Sequence, residues 1–394
     1  RGIKMPTTVN DRSVNANDIS VYTSLQTDKG AVNANPVFSQ ARRLSGKPKR
    51  TIAYTQSGEI KNNQQGKQQI QDTKTYPTEL STEATQQTKD YLIAALHAET
   101  DDNSITDVDI AATATGFTVP GHTFAVGDFV FLSGLAETDD NRAYYISAVV
   151  GDDLTTSPAP SATEAAGNSI TVASIKSSSG TSKYYYTIQE RMLDQSAPAN
   201  DTSYRTYLDS QINSMTFEVP ETGICTSTVS FVSELPVNGD IAVTGQTDAA
   251  NDTSDVVSAI NNVAGFWIDG LESNCSVKSM TLEVNNNLQE DRSAGCERVG
   301  YDGRSFEATG SLVTKAYISD ARDWERKYEN GTRFNVAVEL YWPDDRKMII
   351  VIEQGVATEH DMATEANAIA SNTMSYAAEE SLTSGKTITV YANF

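Results

Sequence analysis

Between residues 277 and 312 the chain alternates apolar and polar positions with unusual regularity. Met280, Leu282 and Val284 alternate with Ser279, Thr281 and Glu283, the period of two that belongs to a strand with one covered face and one wet face. An earlier hexapeptide, Ser214-Met215-Thr216-Phe217-Glu218-Val219, repeats Ser279-Met280-Thr281-Leu282-Glu283-Val284 with Phe217 for Leu282 as the sole change. A strand that recurs together with the hairpin after it predicts two equivalent β-units, here residues 213–235 and 277–317.

The same alternation marks further strands. Phe334, Val336, Val338 and Leu340 face away from Asn335, Ala337, Glu339 and Tyr341, in a strand ended by Pro343. Residues 51–54, 68–75, 184–188, 348–352 and 387–391 are shorter candidates, rich in β-branched and aromatic side chains. Helical spacing is scarcer. Ala84, Tyr91, Leu92, Ala95 and Leu96 form an apolar stripe in a helix predicted over residues 81–98, with Ser81 as its N-cap and Glu83 in its first turn. A second helix is predicted over residues 319–329, with Asp320 near its start and Asn330-Gly331 as its stop. Residues 255–263 and 359–370 also read as helical.

Between 104 and 175 the composition turns to Thr, Ala, Gly and Asp, with short β-runs at 129–132, 144–146 and 170–172 between Gly, Pro and Asp turns. This stretch reads as a small inserted β-domain. It divides the chain into an arm, strands and helix at 1–103, the insert at 104–175, and a main body at 176–394. The fold class is mainly β with α: a β-sandwich with one or two flanking helices and an inserted β-domain.

The whole chain has 394 residues, enough for two or three domains. Its 38% hydrophobic and 21% charged content is globular rather than disordered. No run approaches the ~18 consecutive apolar residues of a membrane helix. Residues 1–6 lack the apolar centre of a signal peptide, so synthesis in the cytosol is expected, with Met5 as the native start. Cys225, Cys275 and Cys296 are odd in number and lack C-x-x-C spacing, which argues for structural thiols and against a zinc site or disulfide framework.

Charge sharpens the picture. With 52 acidic against 30 basic residues the formal net charge is −22, a surface that repels nucleic acid unless its basic residues are concentrated. They do gather once, at Arg42, Arg43, Lys47, Lys49 and Arg50, in a polar stretch over residues 1–75 that reads as an extended arm. No aromatic residues are interleaved as in a nucleic-acid platform, so this cluster is expected to pair with a neighbouring subunit.

Candidate chemistry is sparse. Glu359-His360-Asp361 are consecutive and cannot converge on one point of a helix. Ala-Glu-Thr-Asp-Asp-Asn occurs at 98–103 and again at 136–141, without the spacing, glycine or terminal glutamate of a calcium loop, and reads as two solvated turns. There is no G-x-x-x-x-G-K-[ST] loop and no G-x-S-x-G elbow. The sequence therefore offers no catalytic, cofactor-binding or metal site.

The order of several weak motifs resembles the tail tube proteins of long-tailed, non-contractile bacteriophages. The motifs are the strand 277–284, the Asn285-Asn286-Asn287-Leu288 turn, Gly295, Gly303 and Phe306-Glu307-Ala308-Thr309-Gly310-Ser311-Leu312. Residues 183–190 and 204–214, and Asn63-Gln64-Gln65-Gly66-Lys67 before Pro77-Thr78-Glu79-Leu80, are similar to other parts of that family. The insert is similar, through residues 124–130, to small β-domains of phage virion proteins. The resemblance implies a self-assembling virion protein whose hexameric rings stack into a tube, with strands of each subunit joining a continuous inner barrel through which genomic DNA passes. It implies as partners further copies of the chain and other tail proteins such as tape measure, tail tip and terminator, with no cofactor and no membrane. An acidic wall would let DNA slide without sticking. Glu218, Glu283, Glu307 and Glu339, on the polar side of their predicted strands, are the candidate lumen residues. The competing reading is a tail-tip, capsid-decoration or adhesin-like binding module with the insert as its recognition domain.

Overall fold

The computed structural model describes residues 19–56, 69–194, 201–237, 242–250, 256–273, 277–292, 300–303, 305–316, 321–342, 344–363 and 370–394. Met5, Cys275, Cys296, Asn63 to Lys67 and Gly295 lie outside them.

The principal elements of the main body are β1 (Ile19–Leu25), β2 (Arg43–Ser45), β3 (Gln69–Glu83), α1 (Gln86–Ala95), β4 (Tyr186–Asp194), β5 (Asp201–Val219), β6 (Thr226–Ser233), β7 (Val263–Ile268), β8 (Val277–Asn285), β9 (Glu307–Lys315), α2 (Ala321–Glu329), β10 (Phe334–Tyr341), β11 (Lys347–Ala363), β12 (Ser371–Ala378) and β13 (Ile388–Ala392). The long strands β5 and β11 each take part in two layers. Their first halves pair with β4 and β10 in back sheets, and their second halves pair with β6 and β12 in a front sheet. The front sheet runs β3, β6, β5, β8, β9, β12, β11, all antiparallel.

Alternation explains the sandwich. Met215, Phe217 and Val219 of β5, with Met280, Leu282 and Val284 of β8, turn inward and are at most 2% exposed. They meet Val336, Val338 and Leu340 of β10 and Met348, Ile350 and Ile352 of β11 in one continuous core. The two asparagines that follow β8 are structural: the buried Asn286 amide donates to the carbonyls of Ala95 (3.0 Å) and Ile212 (2.9 Å), and Asn287 has a left-handed φ of 46°. Gly310 leaves room for Tyr376, whose hydroxyl donates to the Thr281 carbonyl at 2.8 Å.

The main body is a duplication, and the repeated hexapeptide is not its signature. Ile212 pairs with Phe231 and Ser214 with Ser230, with a bulge between, while Ala357 pairs with Tyr376 and Glu359 with Ser375, with the same bulge. Every position is displaced by 145 residues. The hairpin of β4 and β5 likewise skips between Tyr186/Ile188 where that of β10 and β11 skips between Phe334/Val336. β3 against β6 matches β9 against β12, pair for pair. Thus β3, α1, β4, β5 and β6 correspond to β9, α2, β10, β11 and β12. Ser214–Val219 and Ser279–Val284 instead lie side by side: Met215 pairs with Val284, Phe217 with Leu282 and Val219 with Met280. The expected equivalence of 213–235 with 277–317 is therefore corrected, since β5 corresponds to β11 and β8 joins the two halves.

Three helix predictions also change. Residues 81–83 belong to β3, paired with Thr228, Ser227 and Thr226, so the helix begins at Gln86 after Thr85, whose N–H donates to the Thr88 hydroxyl at 3.0 Å. Residues 256–262 hold no helix, and β7 begins at Val263. Residues 359–363 are the end of β11; residues 364–369 lie outside the described residues. α2 forms where predicted, held by Trp324, which packs edge-on against Phe334 at 5.7 Å.

Residues 105–173 carry a separate seven-stranded sheet with its own core of residues such as Phe117, Val130, Tyr144 and Val172. It leaves the main body between two strands that pair with each other, Glu99–Asp102 and Ile175–Ser178. Phe129, Phe131 and Ala143 then pack on the outer face of a back sheet, against Trp267, Ala337, Ile349, Val351 and Tyr391. Lys176 to Asp128 (2.7 Å) and Arg142 to Glu272 (2.7 Å) flank the contact.

Candidate functional site

The outer face of the front sheet is assembled by register. One row across the strands reads Glu359, Ser375, Ser311, Thr281, Glu218, Thr226, Glu83. The next reads Ala377, Thr309, Glu283, Thr216, Thr228, Ser81, and the third Glu307, Asn285, Ser214, Ser230, Glu79. Each of these residues is exposed or half-buried, whereas strand neighbours such as Met215, Phe217, Met280, Leu282, Val229 and Met374 are in the core. The three rows contain carboxylates and short hydroxyls, with Ala377 and Asn285 besides, and no lysine or arginine. Hydroxyls satisfy one another across strands, as Thr281 and Ser311 do at 2.9 Å, leaving the carboxylates directed to solvent. Nearby cations stand at the margins: Arg42 lies 3.6 Å from Glu83, and Lys315 ends β9.

Three of the four predicted acids, Glu218, Glu283 and Glu307, fall on this face. Glu79, Glu83 and Glu359 join them, and so does Asp361, which pairs with Thr373. In the Glu359-His360-Asp361 run, strand alternation sends the two acids outward and His360 inward. The helix predicted over 359–370 hides this placement of Glu359 and Asp361, which the alternation of acids about His360 signals.

Glu339 is the exception. It is 3% exposed, on the outer face of a back sheet that the inserted domain covers. Burial pushes its carboxyl up to about 7, opposed by the positive charges of Lys347 and Arg142. It is therefore removed from the solvent-facing set. A group whose pKa is raised on folding contributes stability below its unfolded value that is lost as pH rises through the folded one. Between its ordinary 4.5 and about 7, Glu339 should thus cost on the order of 3 kcal/mol. Urea unfolding at pH 5 and pH 8 is expected to show a fall in stability that Glu339→Gln reduces; an equal fall in both proteins would contradict this assignment.

The two acidic repeats are not both solvated turns. Glu99–Asp102 is an exposed strand, whereas Asp140 is 4% exposed and accepts hydrogen bonds from the Ser161 amide (2.9 Å) and hydroxyl (3.1 Å) and the Ala162 amide (3.2 Å). Asp140 ties a loop of the insert. Cys225 is a buried free thiol, pushed up to about 12 by burial.

The basic cluster lies along the edge of the front sheet formed by β3. Arg42 and Arg43 are engaged within the chain, Arg43 through the carbonyls of Gly46 and Ile19. Lys47, Lys49 and Arg50 are exposed and make no ion pair with any of the described residues. At the opposite edge, residues 356–363 of β11 pair with β12 on one side and with none of the described residues on the other.

A search of curated proteins gives no match. A family model described as phage tail tube protein matches residues 16–383, which includes both halves of the duplicated body and the insert. The chain belongs to the phage tail tube protein family.

Proposed function

We propose that the front sheet is the wall of a channel. The chain self-assembles into rings, the rings stack into the tail tube of the virion, and DNA passes along the face carrying Glu218, Glu283 and Glu307. The observation that carries this reading is the row pattern: three cross-strand rows, mostly hydroxyls and carboxylates, without a cation among them. DNA binding by proteins depends on cations that displace its counter-ions, and a wall without them gives passing DNA no foothold. Short side chains keep the wall smooth. Family membership supports the assembly, and the acidic face supports its use as a conduit.

In this reading subunits fold in the host cytoplasm before joining the tail, where tape measure, tip and terminator proteins meet the tube. The channel reading is tested with Glu283→Cys. In assembled tubes a small maleimide is expected to label this cysteine while a polymer-linked maleimide too wide for the bore is excluded, and dissociated subunits are expected to accept both. Labelling of assembled tubes by the wide reagent would place the face outside and overturn the proposal.

A further inference from the structure

The duplication shows how one chain can meet the next. Inside the chain, the two halves join where β5 pairs with β8, with Thr216 opposite Glu283 and Phe217 opposite Leu282. By the 145-residue correspondence, Asp361 and Met362 of β11 stand where Thr216 and Phe217 stand in β5. The counterpart of β8 in the first half is the chain from Arg43 onward. Arg43 pairs with Thr82 and Ser45 with Ser81, with a register shift between, as Val277 pairs with Thr314 and Ser279 with Val313. Farther along, the bridge Pro48 to Thr78 matches Leu282 to Gly310. Lys49 is therefore the counterpart of Glu283, and Lys47 of Thr281.

Both members of this second junction are present in every chain, at opposite edges of the front sheet, and neither has a strand on its outer side among the described residues. We propose that β11 of one chain pairs antiparallel with residues 46–51 of a second copy, in the register that β5 and β8 use within a chain. The inference rests on the tube reading and deepens it. Asp361 then lies opposite Lys49 of the partner subunit, with Glu359 and Lys47 of the partner subunit as diagonal neighbours. Opposite charges meet across this seam, where the internal junction sets Thr216 against Glu283.

Two further observations agree. Met362 is 45% exposed, whereas its counterpart Phe217, covered by β8, is 1% exposed. An apolar side chain is thus left uncovered at the position a neighbouring strand would cover. The N–H of Lys49 points inward, to the Pro77 carbonyl at 2.8 Å, so the adjacent position, Pro48, faces the free edge. Proline has no donor there, so the seam forms one hydrogen bond fewer than the internal junction, and charge pairing takes a larger part in it. The contact is head-to-tail and closes only as a ring.

Charge reversal tests the seam. Asp361 and Lys49 are exposed, so Asp361→Lys and Lys49→Glu are expected to leave far-ultraviolet circular dichroism unchanged while raising the concentration needed for assembly at least tenfold. The double exchange is expected to restore assembly. Singles that assemble like the unmodified chain would overturn the seam; an unmodified chain that stays monomeric at all concentrations would overturn the tube reading itself. Facing Cα atoms of an antiparallel pair are close enough for a disulfide, so oxidised Asp361→Cys/Lys49→Cys protein should give a non-reducing ladder of covalently linked chains. Absence of the cross-link would refute the register.

Discussion

Phe217→Ala is expected to destabilise the subunit by about 3 to 5 kcal/mol, the usual cost of emptying a closed core site of a phenylalanine. Phe217 is 1% exposed and pairs with Leu282 at the centre of the joint between the two halves. Its ring is packed in the sandwich core, where the surrounding strands are held by ladders on both sides and cannot collapse into the space. The effect is read from the urea midpoint of the dissociated subunit, at fixed slope. A loss below about 1 kcal/mol would mean that the joint yields, and that the halves are less firmly fused than their shared core implies.

The second large effect is on DNA. Replacing Glu218, Glu283 and Glu307 together by lysine adds six units of positive charge to each chain's front face, two for each exchange. Unmodified tubes are expected to leave a short duplex in the supernatant on sedimentation, and the triple variant to carry it down. Retention should fall steeply with salt, with a log–log slope of about −0.9 per phosphate contacted. All three positions are exposed, so the variant is expected to fold. Equal retention by both tubes, at low salt, would detach these carboxylates from any role in DNA passage.

Much of the strand content was written in the alternation of side chains. Met280, Leu282 and Val284 point inward because burial on one face demands a period of two, and any sequence meeting that demand reads as a strand. The duplication was not legible for the same reason. Residues 214–218 and 359–363 share no letter at corresponding positions, yet they keep the same register and bulge, because these depend on backbone geometry and on which positions face in. The hexapeptide repeat has a different origin: the two copies are adjacent central strands of the front sheet, under identical demands from both faces.

Glu339 misled because coverage is a tertiary property. Its strand alternates like β8, and only docking of Phe129 and Phe131 on the back sheet converts its polar face into an interior. Ser81 and Glu83 suit the first turn of a helix, yet pairing with β6 claims residues 81–83 for a strand. Glu359 and Asp361 likewise belong to the end of a 17-residue strand where the sequence predicts a helix.

A three-dimensional reconstruction of tubes grown from the purified chain, at a resolution that separates strands, tests the central claim most directly. The account predicts a central pore lined by the front sheet, with Glu218, Glu283 and Glu307 facing the axis and the inserted domain outside. A tube whose pore is lined by the inserted domain or the back sheets, with those glutamates on its exterior, would contradict it.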